Sequence, residues 1–367
     1  MDVKTFFFAG GGTGGHIYPA LAVAEKLKKL QPQAKIHFFV SSRNIDAQIL
    51  GKTNFEYTPL PAAGLSLRPK ELIRFFTTFF KSYKIAKEAI STAQNPVVVG
   101  VGGFVAAPVC RAGYKLKLPV ALLNVDIVPG KANKVIAKWA DEIFVQFEDT
   151  KDYLPRRAKV NVVGCPIRSG FENPQPAKAK KELGLDENKK ILLITGASSG
   201  SQNINESVCS LLDKLSEFAG DWQIVHLTGR ANFDKVNSMY AGAKISHKVV
   251  DYYDDMPDLL AAADLVIGRS GAVSVAEYAA AGVPSICMPY PYHKDMHQYL
   301  NAGKLVQAGC AVIVDDLKDA VDRTEWLWEE LEELMRDGQR RKEMAQACGR
   351  VGNKQAAVQI AEKLLSM

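Results

Sequence analysis

The sequence predicts an α/β protein made of two parallel-sheet domains, each with helices on both faces of its sheet. One observation is the alternation of short apolar strand-like runs with helical runs along 367 residues, which restarts after Arg168. The other is a pair of glycine-rich loops about half a chain apart, each at the end of an apolar strand. Gly10-Gly11-Gly12-Thr13-Gly14-Gly15-His16 follows Thr5–Ala9, and Gly196-Ala197-Ser198-Ser199-Gly200-Ser201 follows Ile191–Thr195. Strand, glycine loop and helix in that order aim backbone N–H groups and a positive helix end at one point, which suits phosphate. Meeting the arrangement twice implies an enzyme of two nucleotide-binding-type halves.

In the first half the strand-like runs are Thr5–Ala9, Lys35–Val40, Val97–Gly100, Val120–Leu123 and Glu142–Gln146. The spacing predicts helices over Ile17–Leu30, Pro69–Ile90 and Ala132–Trp139. The second half has strand-like runs at Ile191–Thr195, Gln223–Leu227, Lys248–Val250, Leu265–Gly268, Ser285–Met288 and Ala311–Val314. Helices are expected over Glu206–Phe218, Val273–Ala281 and Asp295–Ala302. The turn-rich Asn173-Pro174-Gln175-Pro176 marks the connector, so the domains are expected at 1–167 and 168–349. The apolar helical spacing of Ala356–Leu365 requires packing somewhere. Two further loops, Gly100-Val101-Gly102-Gly103 and Gly268-Arg269-Ser270-Gly271, also follow strands. In open α/β sheets ligands sit beyond the carboxyl ends of the strands, so four such loops would line one cleft.

Composition narrows the function classes. Hydrophobic content is 47% and charged content 23%, as in soluble globular domains. The net charge of +6, from 46 basic and 40 acidic residues, is too mild to indicate nucleic acid. Six cysteines lack C-x-x-C spacing and read as core thiols of a reducing compartment. The N-terminus enters a strand without a signal-peptide pattern, and no run of about 18 apolar residues exists to span a bilayer. A cytoplasmic protein is expected.

Gly10-x-Gly12-x-x-Gly15 fits the dinucleotide fingerprint, but that reading wants an acid after the second strand. Here that strand runs into Ser41-Ser42-Arg43. The better nucleotide grip is Arg269-Ser270-Gly271-Ala272-Val273-Ser274-Val275-Ala276-Glu277. N–H groups after Gly271 can approach a phosphate, and Glu277, about one and a half turns on, can accept hydrogen bonds from both ribose hydroxyls. The polar run His293-Lys294-Asp295-Met296-His297-Gln298 suits sugar hydroxyls better than core packing.

These motifs resemble the MurG family of N-acetylglucosaminyltransferases, which convert lipid I to lipid II in peptidoglycan synthesis. The match rests on Gly-Gly-Thr-Gly-Gly-His at 11–16, Arg269 to Glu277, the third loop ending in Asn205, and His293 to Asn301. The resemblance runs along the whole chain. It implies a GT-B glycosyltransferase fold of two Rossmann-like domains facing across a cleft. UDP-GlcNAc would sit mostly in the C-terminal one and the acceptor in the N-terminal one, with the last helix, 350–367, crossing back to the first domain. By matching motif it implies Thr13, Gly14 and Gly15 near the donor and acceptor phosphates. Arg168 and Ser198 would contact UDP, Tyr253 the uracil through backbone, and Ala272 to Glu277 phosphate and ribose. Gln298 would bind the GlcNAc hydroxyls. Gly102, Gly103, Asn124, Asp126 and Asn133 fall on the acceptor side. Lipid I, an anionic membrane surface and cell-wall or division proteins would be its partners, at the cytoplasmic face of the cell membrane.

One stretch departs from the family. Where it usually reads His-Glu-Gln-Asn, this chain has Leu123-Asn124-Val125-Asp126, while Gly130 and Asn133-Lys134 match in register. The family carboxylate is therefore Asn124 here. Inverting transfer needs a base for the acceptor hydroxyl and positive charge or N–H dipoles for the departing UDP. His16 is the best base by position and Asp126 the fallback. No Asp-x-Asp pair stands at a strand end, so helix dipoles and Arg269 are expected to serve instead of a metal.

Leu65–Lys87 carries the last signal. Leu72, Phe75, Phe76, Phe79, Tyr83 and Ala86 recur at helical spacing, widened by Phe80. Arg68, Lys70, Arg74, Lys81, Lys84 and Lys87 accompany them. The stretch reads either as a core helix or as an interfacial helix facing anionic headgroups. Competing functions are another transferase of the same fold, a UDP-GlcNAc 2-epimerase and a non-catalytic nucleotide-sugar sensor.

Overall fold

The computed structural model describes residues 3–65, 68–197 and 199–367. It divides into two compact units, Met1–Arg168 with Gln355–Met367, and Ser169–Lys354. The first unit is built on seven parallel strands: β1 (Thr5–Ala9), β2 (Lys35–Ser41), β3 (Glu56–Leu60), β4 (Pro96–Gly100), β5 (Val120–Asn124), β6 (Glu142–Val145) and β7 (Val160–Val162), in the order β3-β2-β1-β4-β5-β6-β7. Ala9 pairs with Phe39 on one side and Gly100 on the other. The chain runs outward from β1 to β3 and returns to β4 across β1. The loops after β1 and β4 therefore part at a topological switch point, where such sheets bind ligands. Helices α1 (Gly14–Leu30), α2 (Asn44–Leu50), α3 (Pro69–Ser91), α4 (Gly103–Lys115) and α5 (Lys131–Ile136) begin at that carboxyl edge.

The second unit repeats the plan with six parallel strands: β8 (Lys190–Thr195), β9 (Trp222–Leu227), β10 (Ser246–Val250), β11 (Leu265–Gly268), β12 (Ser285–Cys287) and β13 (Ala311–Ile313), ordered β10-β9-β8-β11-β12-β13. Its helices are α6 (Pro176–Leu183), α7 (Gln202–Ser210), α8 (Leu212–Leu215), α9 (Phe233–Met239), α10 (Met256–Ala262), α11 (Ala272–Ala281), α12 (His297–Gln307), α13 (Ala320–Arg336) and α14 (Gly338–Val351). Central strands such as Ile191–Ile194 are buried throughout, as expected where helices cover both faces of a parallel sheet. The six cysteines are all buried free thiols.

The last helix, α15 (Ala356–Ser366), belongs to the first unit and packs along α1. Ala357, Ile360, Ala361 and Leu364 form the buried stripe at i, i+3, i+4 and i+7. Burying each of the two large side chains contributes about 1.5–3 kcal/mol. Lys4 Nζ donates to the Leu365 carbonyl at 2.7 Å, and Lys363 lies 3.5 Å from Glu142. The chain changes unit at Gln355 instead of residue 350, because Met344, Ala347 and Cys348 of α14 are buried within the second unit.

The strands absent from the sequence reading, β3 and β7, are edge strands. β3 contains Pro59 and is mostly open to solvent, and β7 has three partly exposed residues. Neither carries the apolar run of a central strand. The helix expected over Glu206–Phe218 breaks at Leu211, where Ser210 Oγ bonds back to the Glu206 carbonyl at 2.9 Å. Helix α13, with Leu327, Leu331 and Leu334 fully buried, has the helical spacing that the sequence reading passed over.

Candidate active site

In the first unit the loop after β1 is held from below by α2. Asp46, fully buried, accepts the Gly12 N–H with both carboxylate oxygens, at 2.8 and 2.9 Å. It also takes the Ser41 N–H at 2.9 Å and the Ser41 hydroxyl at 2.5 Å. A side chain on Gly11, at φ +152°, would meet Asp46 Oδ2 at 2.3 Å, so glycine is required there. Arg43 Nη1 donates to the Gly12 carbonyl at 3.0 Å. The Gly12 amide is thus consumed inside the loop, and Thr13 and Gly15 at the start of α1 are what the loop presents outward. Thr13 and Gly15 are exposed, whereas Gly14 is buried.

His16 follows one turn into α1. Its Nδ1 lies 3.2 Å from Thr13 Oγ1. Burial holds its pKa below the ordinary 6.5, against the smaller opposing pull of Asp126, a hydrogen bond with the Gly11 carbonyl, and Asp46. The imidazole is therefore neutral near pH 7. Gly102, at φ +108°, faces the ring: a Cβ there would sit 2.9 Å from His16 Nε2. Gly103, at φ +78°, lies against the Gly11 carbonyl, so the two loops touch through glycines. From the end of β5, Asn124 Nδ2 donates to the Asp126 carbonyl at 2.6 Å, and Asn124 Oδ1 accepts from Asn133 Nδ2 at 2.8 Å. His16, Gly102, Asn124, Asp126 and Asn133 thus gather at one edge of the first sheet. Arg168 ends this unit with its guanidinium 4.8 Å from the Tyr18 ring centroid.

In the second unit Gly271 precedes α11 without a side-chain cap, and no acid stands in the helix's first turn. The N–H groups of Ala272, Val273 and Ser274 have no intrahelical partner, the arrangement that attracts an anion. Ala272 and Val275 point into the core and offer only backbone, while Val273, Ser274 and Ala276 are half-buried. Glu277 is 7% exposed. Gln298 Oε1 accepts the Tyr290 N–H at 3.0 Å, tying α12 to the segment after β12. Tyr253 donates its hydroxyl to Glu182 Oε2 at 2.7 Å. Ser198 lies outside the described residues.

Arg269 corrects an expectation. Its guanidinium is buried and bonds to Ser201 Oγ at 2.7 Å and to the Met288 and Pro289 carbonyls at 2.9 and 3.2 Å. Buried Asp316 pairs with it at 2.7 Å. The arginine braces three loops and has its charge met internally, so it is not offered to a departing phosphate. Asn205 is likewise internal: it bonds the Thr228 carbonyl and His226 Nε2, each at 3.0 Å. Ser201 reads from sequence only as part of its glycine loop and Asp316 only as a loop acid, and Asp46 is not singled out at all. An acid in a helix's first turn reads as a dipole partner, and nothing in its local sequence reveals a target 34 residues away.

Helix α3 resolves into two stretches. Its second half packs on α4 and buries Ser82, Ala86 and Ile90. In the first half Phe75 and Phe79 are half-buried against each other, 6.0 Å between ring centroids. Ile73, Phe76 and Phe80 are 66%, 50% and 60% exposed. Arg74 and Lys81 flank them in solvent. The N-terminus of α3 stands at the same sheet edge as the glycine loops, and Gly64 before it lies against Phe104 of α4. No helix among the described residues is long and apolar enough to cross a membrane.

Comparison with known proteins decides the family. Residues 6–145 match the glycosyltransferase family 28 N-terminal domain, and residues 191–364 the glycosyltransferase family 28 C-terminal domain. The chain belongs to glycosyltransferase family 28. Among family 28 relatives, the proteins of Acetivibrio thermocellus and Caldicellulosiruptor saccharolyticus are 31% and 34% identical to it, each over 96% of this chain and 95% of the relative. Both are named UDP-N-acetylglucosamine–N-acetylmuramyl-(pentapeptide) pyrophosphoryl-undecaprenol N-acetylglucosamine transferase, and the chain is a glycosyltransferase of that MurG group. The crystal structure of Acinetobacter baumannii MurG superposes with a TM-score of 0.74 at 24% identity, covering 99% of this chain and all of that one. A Neisseria meningitidis UDP-GlcNAc 2-epimerase gives 0.69 at 16% identity, covering the whole of both chains. These likenesses carry the GT-B fold alone, shared by family 28 and the epimerases.

Proposed function

We propose that this family 28 enzyme transfers GlcNAc from UDP-GlcNAc to the C4 hydroxyl of the N-acetylmuramyl sugar in undecaprenyl-pyrophosphoryl-MurNAc-pentapeptide, with inversion. The observation that carries the reading is His16, a neutral imidazole seated between two glycine loops at the sheet edge that also bears the exposed aromatic half of α3. Such a base near a lipid-facing surface suits an acceptor anchored in a bilayer.

His16 takes the proton of the C4 hydroxyl as the oxygen attacks the anomeric carbon. The bond to UDP breaks on the opposite face, and the new linkage is inverted. The open N–H groups of Ala272 to Ser274 stabilise the developing diphosphate charge, and buried Glu277 accepts the ribose hydroxyls. Gln298 contacts the sugar through its amide. Thr13 and Gly15 serve phosphate at the first loop. Arg269 positions the second-unit loops around Ser201 and Pro289. No cofactor enters this reading. Ile73, Phe76 and Phe80 dip into the membrane surface, with Arg74 and Lys81 toward anionic headgroups, placing the enzyme peripherally where peptidoglycan precursors are made.

The alternative with the same fold, a 2-epimerase, turns over the nucleotide sugar without an acceptor. Incubation with UDP-GlcNAc, with and without the lipid-linked acceptor, separates the two. UDP release that depends on the acceptor supports transfer, and isomerised UDP-sugar in its absence overturns it.

A further inference from the structure

We propose that Glu182 of α6 is a positioning residue for base choice: by holding the Tyr253 hydroxyl it fixes the segment after β10 against the uracil of the donor. The inference rests on the transferase reading above and adds to it the brace that sets which nucleotide is accepted.

β10 is the outer strand of the second sheet, so the chain leaving its carboxyl end has a neighbouring strand on one side only. The loop after β9 holds that chain as far as Asp251, whose carbonyl accepts the Gly229 N–H at 3.1 Å. From Tyr253 to Asp258 the ties run to α6. Tyr253 donates its hydroxyl to Glu182 Oε2 at 2.7 Å, and Lys178 Nζ lies 2.6 Å from Asp255 Oδ2. Asp258 Oδ1 accepts the Gln175 N–H at 2.7 Å. Positions 175, 178 and 182 fall at i, i+3 and i+7 and so share one face of α6. That face meets 258, 255 and 253 in reverse order, so one short helix clasps the segment along its length. Burial and the Glu182 carboxylate raise the phenol's pKa above its ordinary 10.0, so the hydroxyl remains a donor through the neutral range.

The clasped segment presents backbone. Neither the N–H nor the carbonyl of Tyr253 takes a partner among the described residues. One donor beside one acceptor complements the imide edge of uracil, where a carbonyl stands beside an N–H. Cytosine offers an amino group and a bare ring nitrogen there, the reverse pattern. A hydrogen-bonding site rejects the wrong base only while its groups are held in register. Tyr253 lies outside any strand or helix, so its register is set by what anchors its side chain. Exposed ion pairs add little to stability one at a time, so the clasp should show in nucleotide choice and not in melting temperature.

The test measures UDP and CDP binding by calorimetry in the wild-type protein, Glu182→Ala, Glu182→Gln and Tyr253→Phe. Wild type should prefer UDP. Glu182→Ala and Tyr253→Phe should each weaken UDP about two- to tenfold and CDP much less, so that the preference shrinks by that factor. Glu182→Gln, which still accepts the phenol hydroxyl, should keep most of it. In turnover, Glu182→Ala should raise the UDP-GlcNAc KM and leave kcat at saturating donor unchanged. Equal loss of UDP and CDP, undiminished preference in the variants, or a fall in kcat with KM unchanged overturns the inference. So does wild-type protein that binds the two nucleotides alike. If Glu182→Ala does not fold, Tyr253→Phe decides. Wild-type protein that binds neither nucleotide defeats the transferase reading itself, a result distinct from the others.

Discussion

Asp46 clamps Gly12: both oxygens of one buried carboxylate take a single loop N–H, at 2.8 and 2.9 Å, from the first turn of the next helix but one along the chain. The same group holds the Ser41 N–H and hydroxyl, so the end of β2 and the loop after β1 are fixed to each other. Asp46→Asn replaces one acceptor oxygen by a donor that must face an N–H or O–H. Leaving such buried groups unpaired costs about 1–3 kcal/mol. The variant should melt lower and transfer more slowly, by about tenfold for each 1.4 kcal/mol of lost transition-state positioning. UDP affinity, which in the proposed function rests mainly on Ala272 to Ser274 and Glu277, should change far less by calorimetry. Wild-type melting and turnover in Asp46→Asn would remove the clamp from the account.

The pH profile follows from His16. Burial lowers its pKa below 6.5, so the imidazole stays unprotonated, and able to accept a proton, to a lower pH than an exposed histidine. The acid limb of kcat/KM should therefore fall below pH 6.5. His16→Ala should lower kcat by about 10²–10⁴-fold with UDP binding preserved, and Asp126→Asn should act mainly on acceptor KM. Abolished turnover in Asp126→Asn alongside a mild His16→Ala would move the base to the β5 loop.

Glu277 tests the donor side. Loss of a charged hydrogen-bond acceptor from a ligand contact costs about 1.5–3 kcal/mol, so Glu277→Ala should weaken UDP about ten- to a hundredfold while the melting curve of the protein persists. Unchanged UDP affinity in a folded variant rejects the ribose assignment.

How much of this was legible in the sequence depends on the range of each interaction. Central strands and the loops that follow them announce themselves locally, through apolar runs ending in glycine, and so β1, β4, β8 and β11 are readable one after another. Glu277 and His16 stand at fixed offsets from those loops, so their places in the fold, though not their roles, follow from the loops. Arg269 looked equally readable and was not, because its partners Ser201, Met288, Pro289 and Asp316 come together only in the folded second unit. A charge in a motif shows that a site exists without showing whether the charge faces the ligand or the scaffold. Helix α3 was ambiguous for another reason: adjacent apolar stripes at 72, 75 and 79 and at 73, 76 and 80 have the same period, and only the packing on α4 separates the half-buried one from the exposed one.

That separation chooses the residues for a membrane test. Ile73, Phe76 and Phe80 changed together to Ser should release the protein from anionic vesicles without unfolding it, because the three are exposed. Binding of the unaltered protein should weaken as salt rises. Turnover of a short-chain, water-soluble acceptor should survive the triple change. Undiminished vesicle binding by the variant would assign the patch another role.

His226 predicts the acid stability of the second unit. It is fully buried between Asn205 and Tyr240, and burial pushes its pKa down to about 3. The unfolded chain therefore binds a proton between about pH 6.5 and 3 that the folded chain refuses. The stabilisation is fully present above pH 6.5 and is lost as pH falls through that window, at about 1.4 kcal/mol per pH unit. Denaturant melts at pH 7, 6, 5 and 4 measure the slope. A His226→Gln variant, less stable at pH 7, should show the shallower dependence. Identical slopes would place the titrating group elsewhere.

The most direct test of the account is the product itself. The enzyme is incubated with UDP-GlcNAc and the pyrophosphoryl-linked muramyl acceptor in anionic vesicles, and the lipid is analysed by mass spectrometry and NMR. The account predicts one added GlcNAc in β linkage to C4 of the muramyl sugar, with one UDP released per linkage and no change in the nucleotide sugar when the acceptor is omitted. An unmodified lipid, an α-linked product, or acceptor-independent conversion of UDP-GlcNAc to its 2-epimer would contradict it.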